Sequence, residues 1–141
     1  MGSGASTLVE SLSILDGTYT PSNGAIYPTG GYGGALKLVA RMIKAELGLQ
    51  AVTLDLGGWD THNGQNGPGA GNYFHDRVSE LSRGLAALYA DLDGTTPGTN
   101  YTSRLTVVVM SEFGRRVREN ADRGTDHGHG NVVTVLGNGV S

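Results

Sequence analysis

Apolar residues recur at helical spacing in two stretches of this chain and gather into short unbroken runs in three others. In "ALKLVARMIKAELG", Leu36, Val39, Ala40, Ile43 and Leu47 lie on one face, which predicts a helix over about 33–47 with Gly48 as its C-cap. Phe74, Val78, Leu81, Leu85, Leu88 and Leu92 mark one face of a second helix, about 18 residues long. A further short helix is expected in "STLVESLSIL". The runs "QAVTLDLGG", "RLTVVVMSEFG" and "NVVTVLGNG" predict short strands, each bounded by glycine or polar residues. The second is apolar at successive positions, as a strand covered on both faces would be.

Loops rich in Gly, Pro, Asn and Thr separate these elements: "DGTYTPSNGAIYPTGGYGG", "GGWDTHNGQNGPGAGN" and "DGTTPGTNYTS". The order helix, strand, helix, strand, strand contains a βαβ unit, whose crossover is expected to be right-handed. The expected fold class is therefore α/β: a short, mainly parallel sheet flanked by helices. Residues 1–34 read as an irregular leader and loop, and residues 35–141 as the α/β domain.

Composition narrows the function classes. The chain of 141 residues carries a net charge of only -3, without the basic patch that nucleic-acid binding requires. Cysteine is absent, which excludes disulfides, thiolate metal sites and a cysteine nucleophile. No apolar run approaches the roughly 20 residues that span a bilayer. The opening "MGSGAST" lacks the basic-then-apolar pattern of a signal peptide.

The chemistry-bearing residues fall just after the predicted strands. "GGWDTH" follows the first, and "SEFGR" and "TDHGHG" follow the second. In parallel α/β sheets that edge is where ligands bind. Asp60, His62, Glu112, Arg115, Asp126, His127 and His129 are thus expected at one rim. Imidazole nitrogen and carboxylate oxygen are the donors of zinc, manganese and non-haem iron, and without cysteine a transition-metal site must use them. Adjacent Asp126 and His127 point different ways in an extended loop, so they serve two neighbouring metals, or one metal and its outer hydrogen-bond partner. Plainer readings stand beside this one. An Asp–His pair also serves as an ordinary surface turn, Asp60 as a turn cap, and Trp59 as core. Glu112 and Arg115 also make a purely structural ion pair. Ser111 lacks the Gly-x-Ser-x-Gly setting of a nucleophile elbow, and Asp55 reads as an inward-facing structural group.

Three segments, "LDLGGWDTHNGQ", "TVVVMSEFGRRVREN" and "GTDHGHGNVVTVLGNGV", resemble in order and spacing the C-terminal part of the DUF1501 family. The resemblance runs from about Tyr32 onward. Its members are bacterial proteins of uncharacterised function, often exported, and grouped with the alkaline phosphatase and sulfatase superfamily. It implies part of an α/β/α sandwich and a periplasmic or extracellular location. It also implies divalent metal, zinc or manganese, on Asp126 and His127, with Asp60 and His62 as a second pair. The resemblance assigns no role to Glu112 or Arg115; on their own chemistry Glu112 is expected to be a ligand or general base and Arg115 an anion clamp, with His129 as a further metal ligand. The expected function is a metal-dependent hydrolase-like domain acting on a small phosphate or sulfate ester. The other reading is a non-catalytic extracytoplasmic module that binds a protein partner and keeps the fold. Members are longer than this chain, which is expected to be the C-terminal portion of a larger domain.

Overall fold

The computed structural model describes residues 17–96, 98–138 and 140. The short helix expected in "STLVESLSIL" lies outside them. The described residues contain two α-helices, α1 (Gly31–Lys44) and α2 (Tyr73–Leu92), and four short strands. The strands are β1 (Thr106–Val109), β2 (Gly114–Arg115), β3 (His127–Gly128) and β4 (Thr134–Gly137). They form two separate two-stranded sheets, β1–β4 and β2–β3, and both pair antiparallel. No helix among the described residues is long and apolar enough to cross a membrane.

The chain divides into two compact units. One takes its described residues from Met1–Asp55 and Arg83–Tyr101, the other from Leu56–Ser82 and Thr102–Ser141. In the first, the helical periodicity does what it predicts: Leu36, Val39 and Ala40 of α1 are buried, as are Ala87, Leu88 and Leu92 of α2. Each fully buried leucine contributes roughly 1.5–3 kcal/mol. Gly84 lets the helices approach, since a Cβ there would overlap the Tyr32 ring and the Leu36 side chain. The α1 terminus differs from expectation. Glu46 already adopts a left-handed turn (φ 53°) two residues before Gly48, which is left-handed too, and Glu46 N–H donates to Ile43 O and Leu47 N–H to Met42 O. That is the paired Schellman pattern that closes a helix.

Asp91 anchors this unit. Its carboxylate is buried and accepts from Tyr19 Oη (2.7 Å), Tyr27 Oη (2.8 Å), Ser22 N (2.6 Å) and Lys44 Nζ (2.5 Å). Burial alone would raise its pKa. The hydrogen bonds from Lys44, Tyr19, Ser22 N–H and Tyr27 outweigh it and hold the group below the usual carboxylate range. The two phenols are pushed up, first by burial and then by their bonds to this carboxylate.

The expected parallel sheet and the α/β/α sandwich are not found, because the first predicted strand does not form. Residues 50–57 join no sheet, Ala51, Val52 and Thr53 are exposed, and only Leu54 and Leu56 are half-buried. Asp55 is exposed rather than inward-facing. Without that strand there is no βαβ unit. In the second unit β1 instead pairs with β4, Val108 opposite Val135 and Val107 opposite Leu136. Val108 stays 48% exposed, so β1 is not covered on both faces as its apolar run suggested.

Candidate metal centre

The second unit brings two loops together backbone to backbone. The loop over residues 59–66 meets the loop over 116–126 that joins β2 to β3. Gly64 N–H donates to Asp122 O (2.9 Å), Asn66 N–H to Arg123 O (3.4 Å) and Thr125 N–H to Thr61 O (3.2 Å). Gly124 makes this fit possible, because a Cβ there would overlap the carbonyls of His62 and Thr61. Those atoms are backbone and cannot swing aside. Gly124→Ala is therefore expected to destabilise the protein by about 1–3 kcal/mol, as overpacking does. Thermal denaturation checks this, and an unchanged melting temperature would show that the loops are not held this tightly.

Side chains complete the junction. The Arg115 guanidinium donates to Thr125 O and Trp59 O, and to Thr125 Oγ1 at 3.2 Å. It lies 3.6 Å from Asp60 Oδ1. Thr61 and Thr125 both donate to Gln65 Oε1, at 2.9 and 2.8 Å. Trp59 meets Phe74 edge to face, with centroids 5.9 Å apart.

On this frame Asp60, His62 and His127 converge, each offering a ligand atom within 4.8 Å of the others. Asp60 Oδ1 lies 2.8 Å from His127 Nε2 and 3.2 Å from His62 Nε2. The other nitrogen of His62, Nδ1, is 3.1 Å from Asp126 Oδ1. The His127 ring is stacked on Phe113 (centroids 4.2 Å, 17°) and tilted against His62 (4.7 Å). The hydrogen bond from His127 lowers the Asp60 pKa; desolvation opposes it, and the charges of His62, His127 and Arg115 add to the lowering. Asp126 is lowered chiefly by its hydrogen bond from Asn120 and then by that from His62. Both groups are carboxylates at neutral pH, ready to attract a cation.

The seven residues singled out in the sequence thus divide. Asp60, His62 and His127 form the cluster, and Asp126 touches it through His62. Arg115 sits between the loops with its N–H groups directed at backbone carbonyls. Glu112 and His129 are exposed and stand outside the three-residue group. Sequence reasoning missed Phe113, Gln65, Thr61, Thr125 and Asn120. Nothing in their spacing marks them, although "RENADRGTD" does place an asparagine at the start of a turn ahead of Asp126.

The donor set fits a divalent transition metal. Two imidazoles and one carboxylate on a single side are the ligands of His/carboxylate zinc sites and of open two-His, one-carboxylate sites. The side chains are 46–61% exposed, which leaves coordination positions facing solvent. A family profile described as "Protein of unknown function (DUF1501)" matches residues 16–141. No curated protein and no solved structure matches the chain.

Proposed function

The chain belongs to the DUF1501 family, and on that premise we propose that it is a metal-dependent hydrolase-like domain acting on small phosphate or sulfate esters. The observation that carries the reading is the convergence of Asp60, His62 and His127. Two points support the ester class: the donor chemistry, and the likeness of "TDHGHG" to the metal-binding segment of phosphatases and sulfatases. A relation to that superfamily is part of the same proposal, as is the extracytoplasmic location the family resemblance implies.

Asp60 Oδ1, His62 Nε2 and His127 Nε2 would hold one zinc or manganese ion. When bound, such an ion supplies Lewis-acid polarisation of an ester oxygen and acidifies water. The protein's own part is positional. Asp126 accepts from His62 Nδ1 and so turns Nε2 toward the ion, and Phe113 fixes the plane of His127. Arg115 holds the two loops in register while keeping positive charge near Asp60. Exposed Glu112 and His129 remain available to an incoming substrate rather than to the ion.

Thr61 and Thr125, the hydroxyls flanking the cluster, both donate to Gln65. Both give their protons to an amide oxygen rather than to a base, so neither is activated, and water would be the attacking group in a hydrolase. The same observation favours a second reading, a non-catalytic module that keeps the ion and binds a protein partner. Metal analysis of purified protein is expected to show one equivalent of zinc or manganese. Hydrolysis of chromogenic phosphate and sulfate esters, with and without added metal, separates the two readings. Metal without turnover leaves the binding module, and no metal under any loading condition removes both.

A further inference from the structure

Asn120 joins both loops through one side chain. Its Nδ2 donates to His62 O (2.8 Å) from one loop and to Asp126 Oδ1 (3.0 Å) from the other. Its Oδ1 accepts from Asp122 N (3.0 Å) and Gly124 N (3.0 Å), and its own N–H donates to Gly124 O (2.9 Å). The acceptor half of the amide shapes the turn over 120–124. The donor half reaches across to the cluster. Asp126 Oδ1 thereby receives two donors, Asn120 Nδ2 and His62 Nδ1. An ionised carboxylate only accepts, so His62 Nδ1 meets Asp126 as a donor, while Nε2, the other ring nitrogen, faces Asp60 and His127.

We infer that Asn120 is a positioning residue for the metal centre, fixing Asp126 against His62 so that the imidazole offers Nε2 to the cation. This rests on the metal-site reading above. A hydrogen bond that restrains a ligand's outer partner typically changes metal affinity by about 10–100-fold. Residues that merely shape a turn act on stability instead.

The amide's two halves can be tested apart. Asn120→Asp keeps the oxygen that accepts from Asp122 and Gly124 but removes both Nδ2 hydrogen bonds. Asn120→Ala removes both halves. Titration of zinc and manganese into the full chain, followed calorimetrically, is expected to show Asn120→Asp weakened by about 10–100-fold. The new carboxylate oxygen faces His62 O and Asp126 Oδ1 and repels them, so the variant's melting temperature should fall, and the titration is run well below it on folded protein. Charge alone would instead tighten binding, since an added carboxylate attracts cations. In metal-free protein, nitrogen-15 spectra of the imidazoles should show His62 protonated at Nδ1 to a greater share in the parent than in the variant, where Asp126 is no longer held against it. Unchanged or tighter binding by Asn120→Asp, with an unchanged His62 tautomer, overturns the inference and leaves the metal site standing. If the parent chain binds no ion and Asp60→Ala behaves identically, the metal reading falls and this inference falls with it.

Discussion

Asp60→Ala is expected to abolish stoichiometric zinc or manganese binding, with the loss exceeding the roughly 10–100-fold typical of an outer hydrogen-bond partner. Asp60 Oδ1 is the atom that both His62 Nε2 and His127 Nε2 approach, so it is the centre of the donor set. It is also the only carboxylate in that three-residue group. Asp126 Oδ1 is engaged by Asn120 and by Nδ1 of His62, the ring nitrogen other than the one facing Asp60. His127→Ala should match Asp60→Ala, since it removes Nε2, one of the three donor atoms. Both positions are exposed, and exposed substitutions usually change stability by within about 0.5 kcal/mol. The metal-free variants should therefore melt near the parent. His75→Ala serves as the control, because that imidazole pairs with Asp76 outside the cluster. Calorimetric titration decides the matter: equal affinity in parent and Asp60→Ala would place the ion elsewhere.

The second large effect concerns stability. Asp91→Ala should destabilise the protein by roughly 3–5 kcal/mol, the range for removing one partner of a buried ion pair. The value should lie toward the lower end, because Lys44 keeps 20% of its side chain in water and can turn outward. Tyr19 Oη, Tyr27 Oη and Ser22 N–H would each lose their acceptor. A fall in melting temperature of about 10 °C or more should follow. The pH dependence follows from the lowered pKa of Asp91 in the folded chain. Its stabilisation is complete above the ordinary aspartate pKa of about 3.9 and is lost as pH falls from there through the depressed folded value. Asp91→Asn, compared with the parent by denaturant unfolding, should differ most near neutral pH. The difference should close in acid. A gap that stays constant down to low pH would show that packing, not charge, is what Asp91 provides.

Much of the helical part was legible because helix formation is local. The i, i+3, i+4 spacing of Leu36, Val39 and Ala40, and of Leu88 and Leu92, needs no distant partner to be recognised. The helix ends at Lys44, earlier than the sequence predicts, because Glu46 turns left-handed before Gly48 does. The cluster was partly legible. Residue type alone marked Asp60, His62 and His127 as donors, because imidazole and carboxylate are what a chain without cysteine can offer. Asn120 and Phe113 carried no such mark, as amides and rings serve many ordinary purposes.

What the sequence determined by itself was therefore local: which segments wind into helices, where the glycine-rich loops lie, and which side chains can bind a cation. Tertiary structure decided strand pairing and which of the candidate donors meet. A run such as "TVVVM" can hydrogen-bond to any extended segment, so its partner was settled by what the rest of the chain brought alongside, and that was β4 in antiparallel register. Likewise, whether Asp126 touches a cation or the back of an imidazole depends on a gap of a few ångströms between two loops distant in sequence. That gap is set by Gly124, Arg115 and Asn120 acting across space.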